Sequence, residues 1–166
     1  MIGQRWGVTA QEVARRFPVD DLVPDPAVQA WRGVTVAAPP RAVWPWLCQL
    51  QLAPYSYDWL DNLGRRSPRK LRDRPDPEPG QRFSCIGGRF PVGRVLAVAH
   101  EEHLTAEILG AQMCYLLVPD GSGTRLLLKV VVDRRRWYGP ALAIGDWPMA
   151  RRQLLNLKAL AERRDG

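Results

Sequence analysis

Cysteine and histidine are scarce in this 166-residue chain, lysine is nearly replaced by arginine, and no apolar run is long. Each shortage excludes something. The three cysteines, Cys48, Cys85 and Cys114, are odd in number and scattered, with no C-x-x-C spacing. That excludes a disulfide framework and predicts buried thiols in a reducing cytoplasm. The two histidines, His100 and His103, stand three apart in "HEEH". A zinc-protease helix needs them four apart, with glutamate next to the first. No third ligand is evident, so the expectation is a polar hairpin, no metal and no cofactor. No apolar segment approaches the ~20 residues that span a bilayer. The opening "MIGQRWGVTAQEVARRF" has no apolar core of a signal peptide, which again predicts a cytoplasmic protein.

Three lysines stand against 21 arginines in a chain of net charge +7. Beside many Ala, Pro and Val, this skew reads as the codon habit of a GC-rich genome. The basic clusters at 65–66, 69–74, 134–136, 151–152 and 163–164 fall at expected turns and helix ends, where solvated charge costs little. A nucleic-acid surface would gather them on one face among exposed aromatics, so the pattern argues against that partner. There is no G-x-S-x-G, no phosphate-binding glycine loop and no Cys–His signature, hence no catalytic residue to assign.

What is present reads as one globular domain. Hydrophobic residues make up 46% and charged residues 25%, enough apolar side chains for a real core. Residues 1–29 are predicted to form an N-terminal leader with a short helix lying across a single domain of residues 30–166. In "VTAQEVARR", Thr9 is placed to cap, Glu12 follows three residues later, and Val8 and Val13 are spaced as a hydrophobic staple. "AWRGVTVAA" (30–38) alternates and is β-branched, which predicts a strand. In "PPRAVWPWLCQL", Val43, Leu47 and Leu50 recur at helical spacing, and Pro45 falls early enough for its missing donor to be cheap.

"YSYDWLDNLGRRSPRKL" (55–71) raises the question of an active site. Asp58 and Asp61 stand three apart and could work as a pair, and Tyr55 or Tyr57 could donate to a ligand carbonyl. The simpler reading is a second short helix capped by Ser56 and stopped by Gly64. Trp59, Leu60 and Leu63 would be buried, and the whole would form a corner closing one end of a sheet. From Gln81 to Asp133 the period changes to two. "RFSCIG", "VGRVLAVAH", "LTAEIL", "AQMCYLLV" and "TRLLLKVVVD" are five further strands, the last two joined by the hairpin loop "PDGSG". In the last strand Leu126, Leu128, Val130 and Val132 share one face, predicted covered. Arg125, Lys129 and Asp133 share the other, predicted wet. The cover is a C-terminal helix, expected to start at Asp146 and Pro148 and to run through "MARRQLLNLKALAERR". Its apolar stripe is Ala150, Leu154, Leu157 and Ala161.

This order and the strings "VTVAAPPRAVWPWLCQL", "YSYDWLDNLGRRSPRKL", "GSGTRLLLKV" and "PMARRQLLNLKALAERR" resemble the START/Bet v 1-like (SRPBCC) superfamily. In particular they resemble a bacterial subfamily common in actinobacteria. Where such proteins carry a glycine-rich link before "YSYD", this chain has the shorter "QLAP", which predicts a narrowed or reshaped cavity mouth. The resemblance implies an α+β helix-grip fold: a curved antiparallel sheet of about six or seven strands around a long C-terminal helix, with a cavity between. It also implies a hydrophobic small molecule, a lipid, steroid or polyketide, as partner. Candidate wall residues are Ile108, Tyr115, Leu126, Leu128, Val130, Leu154 and Leu157, with Trp59 near the mouth. The facing parity of Tyr115 is open. An enzyme of the polyketide cyclase or dehydratase kind would instead need inward ionisable groups, drawn from Tyr115, His100 or Asp58. A structural module would have a filled interior rather than the ~300 Å3 of an ordinary ligand site.

Overall fold

The computed structural model describes residues 4–55, 63, 66–86, 90–134 and 139–163. The elements in chain order are β1 (Arg5–Trp6), α1 (Ala10–Ala14), a 3-10 turn (Pro18–Asp21), β2 (Pro26–Val36) and α2 (Pro40–Cys48). A 3-10 turn (Gln49–Gln51) follows, then β3 (Arg82–Ile86), β4 (Phe90–Ala99), β5 (His103–Ile108), β6 (Ala111–Asp120), β7 (Gly123–Asp133) and α3 (Gly139–Ala161). Seven strands form one sheet in the order β1-β2-β7-β6-β5-β4-β3. All neighbours are antiparallel except β1, which runs parallel to β2. Register shifts within β2 and β4 mark bulges, which bend a sheet locally. The result is the α+β helix-grip fold, a curved sheet with α3 across its inner face.

Local chemistry explains most of these elements. Thr9 and Glu12 close a capping box at the start of α1: Thr9 N–H donates to Glu12 at 2.7 Å, and Glu12 N–H donates to Thr9 Oγ1 at 3.2 Å. The β6–β7 hairpin turns on Gly121 and Ser122, with Gly121 at φ 59°. A positive φ at the first central position is what a type II′ turn requires of glycine. Pro45 lies inside α2, which it enters without ending.

Strand parity divides the core in two. Ala30, Val34, Leu104, Met113, Tyr115, Leu117, Leu126, Leu128, Val130 and Val132 face inward, against α2 and the stripe Ala150, Leu154, Leu157, Ala161. Tyr115 pairs with Leu104 and Leu128, which settles its facing as inward. The C-terminal half of α3 is tied down at β2: Lys158 Nζ donates to the Thr35 carbonyl at 2.7 Å, and Ala37 N–H donates to Glu162 at 2.6 Å.

Three expectations fail here. The outer face of β7 is not wet. Leu127 and Val131 are buried there with Phe17, Val19, Val23, Trp31 and Cys114 in a second apolar cluster. Lys129 is 4% exposed, paired with Asp20 and lying 5.0 Å from the centre of the Trp31 ring. The leader covers this face, a contact more than 100 residues long in sequence that strand alternation does not reveal. Where the leader crosses β2, a side chain on Gly33 would meet Arg125 Nη2 at 2.8 Å and the Gly7 carbonyl at 2.9 Å, so only glycine fits. Second, α3 starts at Gly139 rather than Asp146. Asp146 and Pro148 carry the chemistry of a helix start, yet the helix runs through both. Third, of the predicted helix over 56–64 only Leu63 is described; it is 65% exposed at φ 51°, a turn position facing outward rather than the buried one expected, while Asp58, Trp59 and Asp61 lie outside the described residues.

Candidate functional site

A cavity of about 130 Å3 opens between the inner face of the sheet and the middle of α3. Its apolar walls are built from the link after α2, five strands and α3. Leu50 and Pro54 come from the chain after α2, Phe83 from β3, Val92 and Ile108 from β4 and β5, and Met113 and Leu128 from β6 and β7. Met149 and Ala150 close it from α3. Pro54 belongs to "QLAP", so this short link forms part of the wall itself.

Among the described residues three polar side chains line the same space: Ser84, Tyr115 and Gln153. The Tyr115 hydroxyl donates to Gln153 Oε1 at 2.5 Å and sits 3.4 Å from the Met113 sulfur. Gln153 Nε2 donates to the Pro54 carbonyl at 2.6 Å. One turn on, Asn156 Nδ2 donates to the Tyr55 carbonyl at 2.9 Å. Gln153 and Asn156, three apart on one helix face, thereby clip consecutive carbonyls of the link to α3. Tyr55 itself is buried at φ 55°, and its hydroxyl accepts from Gln49 Nε2 at 2.6 Å.

Of the residues singled out from sequence, Ile108, Tyr115 and Leu128 meet at this cavity. Leu126, Val130, Leu154 and Leu157 do not line it; all four are buried in the surrounding core. Trp59 lies outside the described residues. Sequence reasoning missed Phe83, Met113 and Gln153. Met113 was recoverable, because it shares the parity of Tyr115. Gln153 was not: a glutamine beside an apolar helical stripe reads as solvent-facing. Arg32 was also missed. It follows the parity of Ala30 and Val34, is 1% exposed, and donates to the carbonyls of Gln4 at 3.0 Å and Trp31 at 2.9 Å.

No carboxylate, imidazole, amine or thiol occurs among the described residues that line the cavity. The candidates for acid–base work sit elsewhere. His100 lies in the β4–β5 turn, where its Nδ1 is 2.5 Å from Asp76 and its ring meets Trp44 edge-on at 5.7 Å between centroids. The Asp76 bond raises the His100 pKa. Burial alone would raise the Asp76 carboxyl, but hydrogen bonds from Trp44 and His100 outweigh it and hold it below its ordinary value. Burial pushes the Cys48 thiol up to about 12, aided by Asp76, and the Cys114 thiol up to about 11. Neither is a nucleophile at neutral pH. Burial lowers the His103 pKa. Among the described residues no group of three or more His, Cys, Asp or Glu is placed to hold a metal ion. No described helix is long and apolar enough to cross a membrane.

No family model and no curated protein matches the chain. Solved structures do. A crystal structure from Nitrosomonas europaea covers 88% of this chain and 98% of its own, at 19% identity and TM-score 0.57. A solution structure from Thermobifida fusca covers 82% and 95%, also at 19% identity and TM-score 0.57. A solution structure of an AHSA1-like protein from Aeromonas hydrophila covers 81% and 92%, at 17% identity and TM-score 0.48. At these identities the likeness is one of fold.

Proposed function

We propose that this chain binds a small hydrophobic or amphipathic molecule in the cavity between the sheet and α3. The observation that carries this reading is the composition of the described wall: mostly apolar, with Ser84 and the hydrogen-bonded Tyr115–Gln153 pair as its polar groups. Such a hollow favours a guest with an apolar body and one hydrogen-bonding tip. Its volume of about 130 Å3 sets the size. An apolar hollow of ~150 Å3 takes a benzene ring. A single ring or short branched acyl group fits as the cavity stands; a steroid or polyketide requires α3 to move away from the sheet. The strings around "PWLCQL" and "YSYDWLDN" support placement in the bacterial SRPBCC subfamily, and the buried thiols fit a reducing cytoplasm.

The small volume favours one competing reading, a structural module whose interior is nearly filled. The cyclase or dehydratase reading has no such support, since Tyr115 is the only ionisable side chain in the described lining. Titration with toluene and p-cresol, followed by backbone amide NMR, separates the first two. Binding predicts saturable shifts centred on Ile108, Leu128, Ala150 and Gln153, with p-cresol the tighter guest. It also predicts loss of both in a cavity-filling Ala150→Leu variant. Shifts that never saturate, or that survive the filled cavity, sink the proposal. Native mass spectrometry of protein from its own host would then identify the natural guest.

A further inference from the structure

A second, smaller recess of about 60 Å3 lies on the other side of the Pro54–Tyr55 clip, and it differs in chemistry from the first. It is lined by Tyr55, Ser67, Arg69, Asn156, Leu160 and Arg163, with Ala159. We propose that this recess is an anion site for a phosphate monoester, held by the guanidinium groups of Arg69 and Arg163.

Charge leads the argument. Among the described residues neither guanidinium has a hydrogen-bond or ion-pair partner, whereas Arg16, Arg94, Arg125 and Arg134 each have a carboxylate partner. The acid adjacent to Arg163, Glu162, is occupied: it accepts from Lys158 Nζ at 2.5 Å and from Ala37 N–H at 2.6 Å. No acidic side chain occurs among the described residues that line the recess. Two positive charges with no partner among the described residues therefore face one small space. The C-terminal pole of α3 opposes them with only about half a negative charge.

Shape and charge together select the ligand. A guanidinium presents planar paired donors that match phosphate oxygens. A phosphate monoester carries about −1.5 to −2 at neutral pH, which balances two arginines, whereas a carboxylate leaves one uncompensated. Ser67 is buried at the wall. The volume suits one phosphoryl group and no more, so the rest of the ligand points to solvent.

The test is a calorimetric titration with inorganic phosphate at low salt. The wild type should saturate with a dissociation constant on the order of 1 mM, weakening steeply as salt screens the two charges. Arg69→Gln and Arg163→Gln should each weaken binding at least ~5-fold, and the double variant should abolish it. Both side chains are exposed, so the variants should unfold where the wild type does. They should also bind p-cresol unchanged, which keeps this site distinct from the apolar cavity. Phenyl phosphate and phosphatidic-acid vesicles then separate the sources. Preference for the vesicles assigns the site to a lipid headgroup, and preference for phenyl phosphate to a soluble monoester. Phosphate heats that fail to saturate in the tens of millimolar range, or that persist in the double variant, overturn the proposal.

Discussion

The Tyr115 hydroxyl and the Gln153 amide join the centre of the sheet to the C-terminal helix through a 2.5 Å hydrogen bond. The same amide then reaches the Pro54 carbonyl at 2.6 Å, so one glutamine fastens three separated parts of the chain. Tyr115→Phe leaves Gln153 Oε1 without its donor. The expected loss is about 1–2 kcal/mol in urea unfolding. Gln153→Leu in that background should cost less than the two single effects added, because no stranded acceptor remains at that end. Strict additivity would show that the bond contributes nothing.

Leu128 is 1% exposed and lines the cavity beside Tyr115. Leu128→Ala should destabilise by about 2–5 kcal/mol, as for other buried leucines. It should also enlarge the hollow, so that naphthalene, excluded from the wild type, binds and raises the melting temperature of the variant. An unchanged guest range would mean that the walls collapse inward.

Asp20 of the leader pairs with the buried Lys129 of β7, which lies over the rings of Phe17 and Trp31. Asp20→Ala strands a buried ammonium and should cost about 3 kcal/mol. Asp20→Ala with Lys129→Met removes both charges and should recover most of that loss. Equal stability of the single and double variants would show that the ammonium finds water readily once the leader loosens.

The pH dependence has two limbs of opposite sign. Glu12 is held at about 2, below its ordinary 4.5, chiefly by the hydrogen bond from Arg125. Its contribution is complete above pH 4.5 and is lost as pH falls toward 2. Discounted for partial exposure, it is worth about 2 kcal/mol. Glu12→Gln should flatten that acid limb. The His100 pKa is raised by Asp76, so its contribution is complete below the ordinary histidine value of 6.5 and is lost as pH rises through the raised one. His100→Gln should remove that alkaline slope and also soften the acid limb slightly, because Asp76 loses one of the bonds that hold its pKa down; the Glu12 part of that limb should stay. Thermal unfolding between pH 2 and 9 reads both.

Much of this was legible from nearest neighbours. The capping box at Thr9 and Glu12, the Gly121 hairpin and the Ala150–Ala161 stripe each depend on residues a few positions apart, and each stands where the pattern put it. The failures have a common cause. Lys129 and Arg125 look like a solvated face until Asp20 and Glu12 arrive from the leader. Likewise Asp146 and Pro148 look like a beginning when the ten residues before them are read by composition alone. For the cavity, parity placed Leu128, and in principle Met113, on the right face. It could not tell a lining residue from a filled one, since Leu126 and Leu128 obey the same alternation and only the second meets open space.

The leader's partners on β7 carry an implication for biosynthesis. Glu12 must wait for Arg125, 113 residues further on, and Asp20 for Lys129, 109 further on. A ribosome delivers the leader roughly a hundred residues ahead of β7, so Phe17 and Trp31 emerge well before Leu127 and Val131, which share their cluster. Closure of the outer face therefore waits for β7, and a chaperone that shields exposed aromatics should be most useful to this protein in that interval of its synthesis.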